Sequence, residues 1–97
     1  MRRFLCSHLV KLSWGGGELV VNLEEIWETG AVLECEQEVP KGALAEIRAG
    51  DVFYAGRLNM VQQHEFGWRV EMEFSPLTRW AEEQFRPAHL LDLSEFG

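Results

Sequence analysis

The sequence predicts an all-β protein with one C-terminal helix: a small antiparallel β-barrel of six short strands and a helical lid. Three observations carry that class. Apolar residues recur at every second position through most of the chain. The cleanest case is residues 68–74, where Trp68, Val70, Met72 and Phe74 alternate with Arg69, Glu71 and Glu73, the period of a strand with one face in a core and the other in water. Turn residues punctuate these runs at Gly15-Gly16-Gly17, Gly30, Pro40-Lys41-Gly42 and Ala49-Gly50-Asp51. After Ser75-Pro76 the period changes, and Leu77, Trp80, Ala81, Gln84 and Phe85 recur at three and four. Short strands spaced by turns, then one amphipathic segment, describe a barrel capped by a helix. The 97 residues amount to one domain, residues 1–97.

Taken in order, residues 2–7 read as the beginning of an exposed arm, and the first strand runs from Leu5 or Leu9 to Trp14. The three glycines that follow make a hairpin connection. A phosphate-cradling loop would need a helix after them and a Lys-Ser or Lys-Thr pair, and a strand pattern follows instead. Residues 19–35 form the centre of the chain. Leu19, Val21 and Leu23 alternate with Val20, Asn22 and Glu24, and beyond Gly30 the residues Ala31, Leu33 and Cys35 alternate with Val32, Glu34 and Glu36. Gly30 is expected to set the corner between them by taking a positive φ. Residues 43–48 and 52–61 are the next strands, with a bulge or sharp bend expected at Gly56. Residues 62–67 read as a loop. Ser75 is an N-cap and Pro76 a first helical residue, so a helix is expected over residues 76–86, stopped by Pro87. The tail, residues 87–97, carries His89, Leu90, Leu91 and Leu93 and is expected to pack back on the barrel.

With 46% hydrophobic and 26% charged residues, the balance is that of a globular protein rather than a disordered one. No apolar run approaches the ~18 residues of a membrane span, and no secretory signal is recognisable at the start. A cytoplasmic location is therefore expected. The net charge of −7 opposes general nucleic-acid binding, which needs a basic stripe, and opposes adhesion to anionic membrane. The charge is also uneven: residues 18–38 hold seven Glu and no Lys or Arg, whereas the chain before Trp14 holds only Arg2, Arg3 and Lys11. The Glu-rich stretch is either a solvated face or a surface for a protein partner.

Few residues suggest catalysis. Cys6 and Cys35 fall on alternating patterns and read as buried thiols. His8, His64 and His89 lack metal-ligand spacing, and Cys6 with His8 supplies two ligands where zinc needs three or four. No serine stands on a nucleophile elbow. The acid pairs Glu24-Glu25 and Glu82-Glu83 are neighbours in sequence and point in different directions. An enzyme is not expected, nor a metal or cofactor.

The order NLEEIWETGAVLEC, VPKGALAEIRAG, RLNMVQQHEFGWRVEMEF, a C-terminal helix and PAHLLDL resembles a PilZ domain over nearly the whole chain. PilZ domains are bacterial six-stranded barrels that receive cyclic di-GMP. The resemblance implies a ligand site made of an R-x-x-x-R arm and a D/N-x-S-x-x-G corner. Arginine forks suit phosphates and guanine edges. The matching positions here are Arg2, Arg3, Asn22, Glu25, Trp27 and Gly30. The departures are large. Four residues beyond Arg2 and Arg3 stand Cys6 and Ser7. Glu25 takes the place of the short acid or amide, and Trp27 the place of the serine. Losing one charged hydrogen-bond partner costs about 1.5–3 kcal/mol, so two such losses weaken binding by two or more decades. The resemblance thus implies a regulatory or adaptor module with weak or absent cyclic di-GMP binding and a protein partner. Its rivals are a working receptor with an atypical site, and a small barrel for another ligand or nucleic acid. Trp27 is expected to pack against Phe4 or the helix, or else to stand exposed as a stacking platform. Arg2 and Arg3 either touch a ligand or form a flexible basic terminus.

Overall fold

The structure is a computed structural model that describes residues 1–96; Gly97, the last residue of the expected tail, lies outside the described residues. Seven strands run β1 (Arg3–Trp14), β2 (Gly17–Trp27), β3 (Gly30–Cys35), β4 (Leu44–Ala49), β5 (Val52–His64), β6 (Gly67–Phe74) and β7 (Leu91–Asp92). Every pairing is antiparallel. The order β2-β3-β6-β5-β4-β1 closes through β1–β2 into a six-stranded barrel, and β7 adds to β1 beyond the end of β4.

The strand period explains the core. Leu12, Leu23, Ile26, Leu33, Ile47, Leu58, Val70 and Met72 point inward and are almost fully shielded. The inward set on β2 shifts from odd to even numbers, Val21 and Leu23 and then Ile26, because the register slips between Leu23 and Glu25. The extra residue, Glu24, is a bulge that bends the strand at a barrel corner. β1 slips likewise between Leu5 and His8, and β5 between Leu58 and Met60.

Gly56 is not the bulge. It sits in straight register between Ala45 and Phe74, where a Cβ would lie 2.2 Å from the Glu73 carbonyl oxygen. Gly30 likewise serves close approach rather than a positive φ, which is found at Gly42 and Gly50 instead. A Cβ on Gly30 would meet the Met72 carbonyl oxygen at 2.7 Å and the Trp27 ring at 2.8 Å. Residues 62–67 do not form a loop. β5 continues to His64, and β6 begins at Gly67 after a two-residue turn. The polar Gln62, Gln63 and His64 reflect an exposed end of the ribbon. The expected arm is also absent, since β1 starts at Arg3, pairs with Trp27 and is flanked by β7.

The expected helix over residues 76–86 does not form; these residues are a strap of turns. The first-turn carbonyl of Pro76 accepts from the Arg79 guanidinium at 2.9 Å, and the Trp80 N–H, which a helix would send to Pro76, donates to Glu28 O at 2.9 Å. Eleven residues are too few to nucleate a helix without tertiary packing, and here packing draws two anchors apart. Trp80 is 5% exposed and meets Phe4 edge-on at 5.3 Å; Phe85 meets His8 at 5.2 Å. Leu77, expected on the same face, is 99% exposed. The strap nonetheless plugs one barrel end. Tyr54 Oη donates to Gln84 Oε1 at 2.6 Å, and the Trp80 indole N–H donates to Phe85 O at 2.8 Å. The tail packs back on the barrel as β7, beside Phe4 and Leu5.

Candidate functional site at the β2–β3 corner

Four of the six sequence-derived residues meet on the outer wall of β1, β2 and β3. Arg3 faces Trp27 across the β1–β2 pair, and Trp27 faces Gly30 across β2–β3. The absence of a side chain at Gly30 lets the indole lie over the sheet. The Arg3 guanidinium sits above that indole, 3.9 Å from the ring centroid, a cation–π contact of about 0.5–2 kcal/mol depending on desolvation. Its Nε also forms an ion pair with Glu25, 2.8 Å from Oε1.

The sequence reading missed Arg69. Its Nη2 stands 3.7 Å from the other Glu25 oxygen, so one carboxylate is held between two guanidiniums. Glu25 is 13% exposed. In register it faces Val32, which in turn faces Glu71. Val32 is fully buried although it points away from the main core. The alternation of β6 already places Arg69 outward. That β6 lies next to β3 is a non-local fact, which local periodicity does not carry.

The remaining two residues lie elsewhere. Arg2 turns toward the tail, where its Nε donates to Asp92 Oδ2 at 3.0 Å and its guanidinium lies 5.2 Å from the Phe4 ring. That pairing, with Ser94 N–H and Oγ donating to Oδ1, pulls the Asp92 carboxyl down to about 2. Asn22 is a row further along β2, opposite Leu9 and Glu34, and accepts from Ser7 Oγ at 3.3 Å. Trp27 does not pack on Phe4, whose ring is taken by Trp80, and the helix expected over residues 76–86 does not form to receive it. Arg2 and Arg3 are not a loose basic terminus.

The electrostatics follow. Both acids of the corner have cationic partners: Glu25 has Arg3 and Arg69, and Glu28 has Arg79 Nε at 3.6 Å. The hollow beside Trp27 holds about 180 Å³ and bears Glu71 and Glu73, well below the ~300–1,000 Å³ of typical ligand pockets. Cys6 donates weakly to Leu23 O at 3.5 Å. Burial, helped by Glu24 and Glu25, pushes its thiol up to about 12. Burial with Glu34 raises Cys35 to about 11. Both cysteines are free thiols, and neither is an activated nucleophile. Among the described residues no group of three His, Cys, Asp or Glu side chains could hold a metal ion. No known family model matches the chain, and no curated protein matches it.

Proposed function

We propose that this chain is a PilZ-like, non-catalytic regulatory or adaptor domain of the bacterial cyclic di-GMP signalling type. It binds the dinucleotide weakly or not at all and acts in the cytoplasm through protein contacts. The observation that carries the reading is the capture of Arg3 and Arg69 by Glu25. A phosphate arriving at this corner must displace a carboxylate that already occupies the cationic forks, and Trp27 offers no hydroxyl in exchange. The six-stranded antiparallel barrel is compatible with the reading but does not single it out, since one fold hosts many functions.

Titration calorimetry with cyclic di-GMP tests this. The expected result is no saturable heat at micromolar protein. Micromolar or tighter binding that disappears in Arg2→Ala and Arg3→Ala variants would overturn it. One observation favours the rival receptor reading: a guanidinium poised over an indole is a surface on which a purine can stack. In that case Trp27→Ala would abolish binding along with Arg3→Ala.

A further inference from the structure

We infer that the groove beside the β5–β6 turn docks an extended segment of a partner protein that carries Lys or Arg next to apolar side chains. The inference rests on the reading of this chain as a protein-contact module and assigns the contact surface.

The barrel wall is incomplete at this point. β2 is paired with β1 along its length, but with β3 only from Asn22 onward. β3 ends at Cys35, and the chain bends away at Glu36 and Gln37. Residues 17–21 of β2 therefore have no strand on the β3 side among the described residues. A free sheet edge is a template for an added strand, with main-chain bonds giving affinity and alternate side chains giving specificity.

The gap opens into a groove of about 590 Å³ between β2 and the β5–β6 turn. Its apolar walls are Leu9, Val20 and Phe66, which are 68%, 64% and 102% exposed. Single exposed apolar residues are ordinary, but three around one groove form a patch. The rim is acidic, with Glu34, Glu36 and Glu65. Glu34 Oε2 is shut off from water and has no hydrogen-bond partner among the described residues. His64 Nδ1 is 3.7 Å away, beyond bonding distance. The Glu34 side chain as a whole is 27% exposed at the groove, so an entering ammonium or guanidinium meets a carboxylate that no Lys or Arg has taken.

Charge decides the occupant. A second copy of the chain would bring the same three carboxylates against these three, on a body of net charge −7. A polyanion meets the same repulsion. An extended strand with basic and apolar residues in alternation matches both the rim and the walls.

The test is an amide NMR titration of the full chain, labelled with nitrogen-15. The probe is the acetylated, amidated hexapeptide Lys-Val-Lys-Val-Lys-Val, and the control is its Glu-Val counterpart. The expected result is saturable shifts at Val20, Val21, Glu34 and Gly67 with the basic peptide alone. Glu34→Gln and Phe66→Ser, checked for an unchanged fold by thermal melting, should each weaken binding about tenfold. Silence at these amides, equal response to the acidic peptide, or indifference to both substitutions would overturn the assignment. Saturable shifts elsewhere on the barrel would sink the groove yet leave the protein-contact reading standing. Tight cyclic di-GMP binding in the same samples would sink that reading instead, and the groove amides would still decide the peptide result.

Discussion

Replacing Glu25 by Gln should loosen the fold and tighten dinucleotide binding at once. The substitution keeps shape and removes one charge from between two guanidiniums. Arg3 Nε lies 2.8 Å from one Glu25 oxygen and Arg69 Nη2 3.7 Å from the other. Breaking a fully buried ion pair costs about 3–5 kcal/mol, and an exposed one about 0–1 kcal/mol. Glu25 is shielded but Arg3 is 44% exposed, so solvent screening lowers the expected loss to about 1–2 kcal/mol. For a domain of this size that is a fall in Tm of about 5–15 °C. The same substitution frees two forks beside the indole. If each then contributes about 1 kcal/mol to a phosphate, the affinity for cyclic di-GMP rises roughly 10–30-fold. Thermal melting by Trp fluorescence reads the first effect and calorimetry the second. A variant with lower Tm but unchanged or weaker dinucleotide binding would refute the idea that Glu25 occupies a phosphate site. An unchanged Tm would refute the ion-pair geometry.

Further expectations concern the barrel and its titrating groups. Gly56→Ala puts a methyl 2.2 Å from the Glu73 oxygen, so β5 and β6 must part. Urea unfolding should show a loss above about 3 kcal/mol, against less than about 0.5 kcal/mol for Gly15→Ala, where nothing lies within 4 Å. The Cys6 and Cys35 thiols, raised to about 12 and 11, stay protonated in the fold while an unfolded thiol ionises near ~8.5. Stability from them is complete below that pH and falls as pH rises through 11 and 12. At pH 8 a disulfide reagent should label the native protein far more slowly than the denatured one. Asp92, lowered to about 2 by Arg2 and Ser94, contributes stability that is full above the ordinary carboxylate pKa of ~3.9 and lost as pH falls toward 2. Asp92→Asn should remove that acid limb, read as amide exchange at Leu91 and Leu5.

The strands were legible because their signal is local. A two-residue period in residues 68–74 states which side chains point inward whatever lies beside them. The helix was misread for the converse reason. Leu77, Trp80 and Phe85 have helical spacing, but the bonds that decide their geometry come from Glu28 and from the Arg79 side chain, one across the barrel end and the other outside any periodic pattern. Half of the corner could be read in advance. Glu25, Trp27 and Gly30 follow one another on a hairpin, so their proximity was implied by the turn. Arg3 and Arg69 arrive from β1 and β6, and nothing in the local pattern of either names Glu25 as its partner. Gly30 was singled out correctly and explained wrongly, since its role is to clear space for an indole rather than to permit a left-handed φ.

The two candidate surfaces treat charge in opposite ways, and that contrast bears on what the barrel can recognise. At the corner each guanidinium has found a carboxylate: Arg3 and Arg69 meet Glu25, and Arg79 meets Glu28. At the groove, none of Glu34, Glu36 and Glu65 has a Lys or Arg nitrogen within 4 Å among the described residues, and Glu34 keeps a buried oxygen without a donor. A phosphate ligand must therefore break pairs already made by guanidiniums, whereas a cationic ligand displaces no Lys or Arg and meets only the His64 ring, 3.7 Å from Glu34 Oε2. Breaking a charge-assisted pair costs about as much as forming another returns, so the first exchange is close to neutral before the ligand's lost freedom is counted. The second has no such offset. Recognition on this barrel should accordingly favour a basic partner over an anionic messenger, and raising the salt concentration should weaken the former several-fold through screening of the open carboxylates.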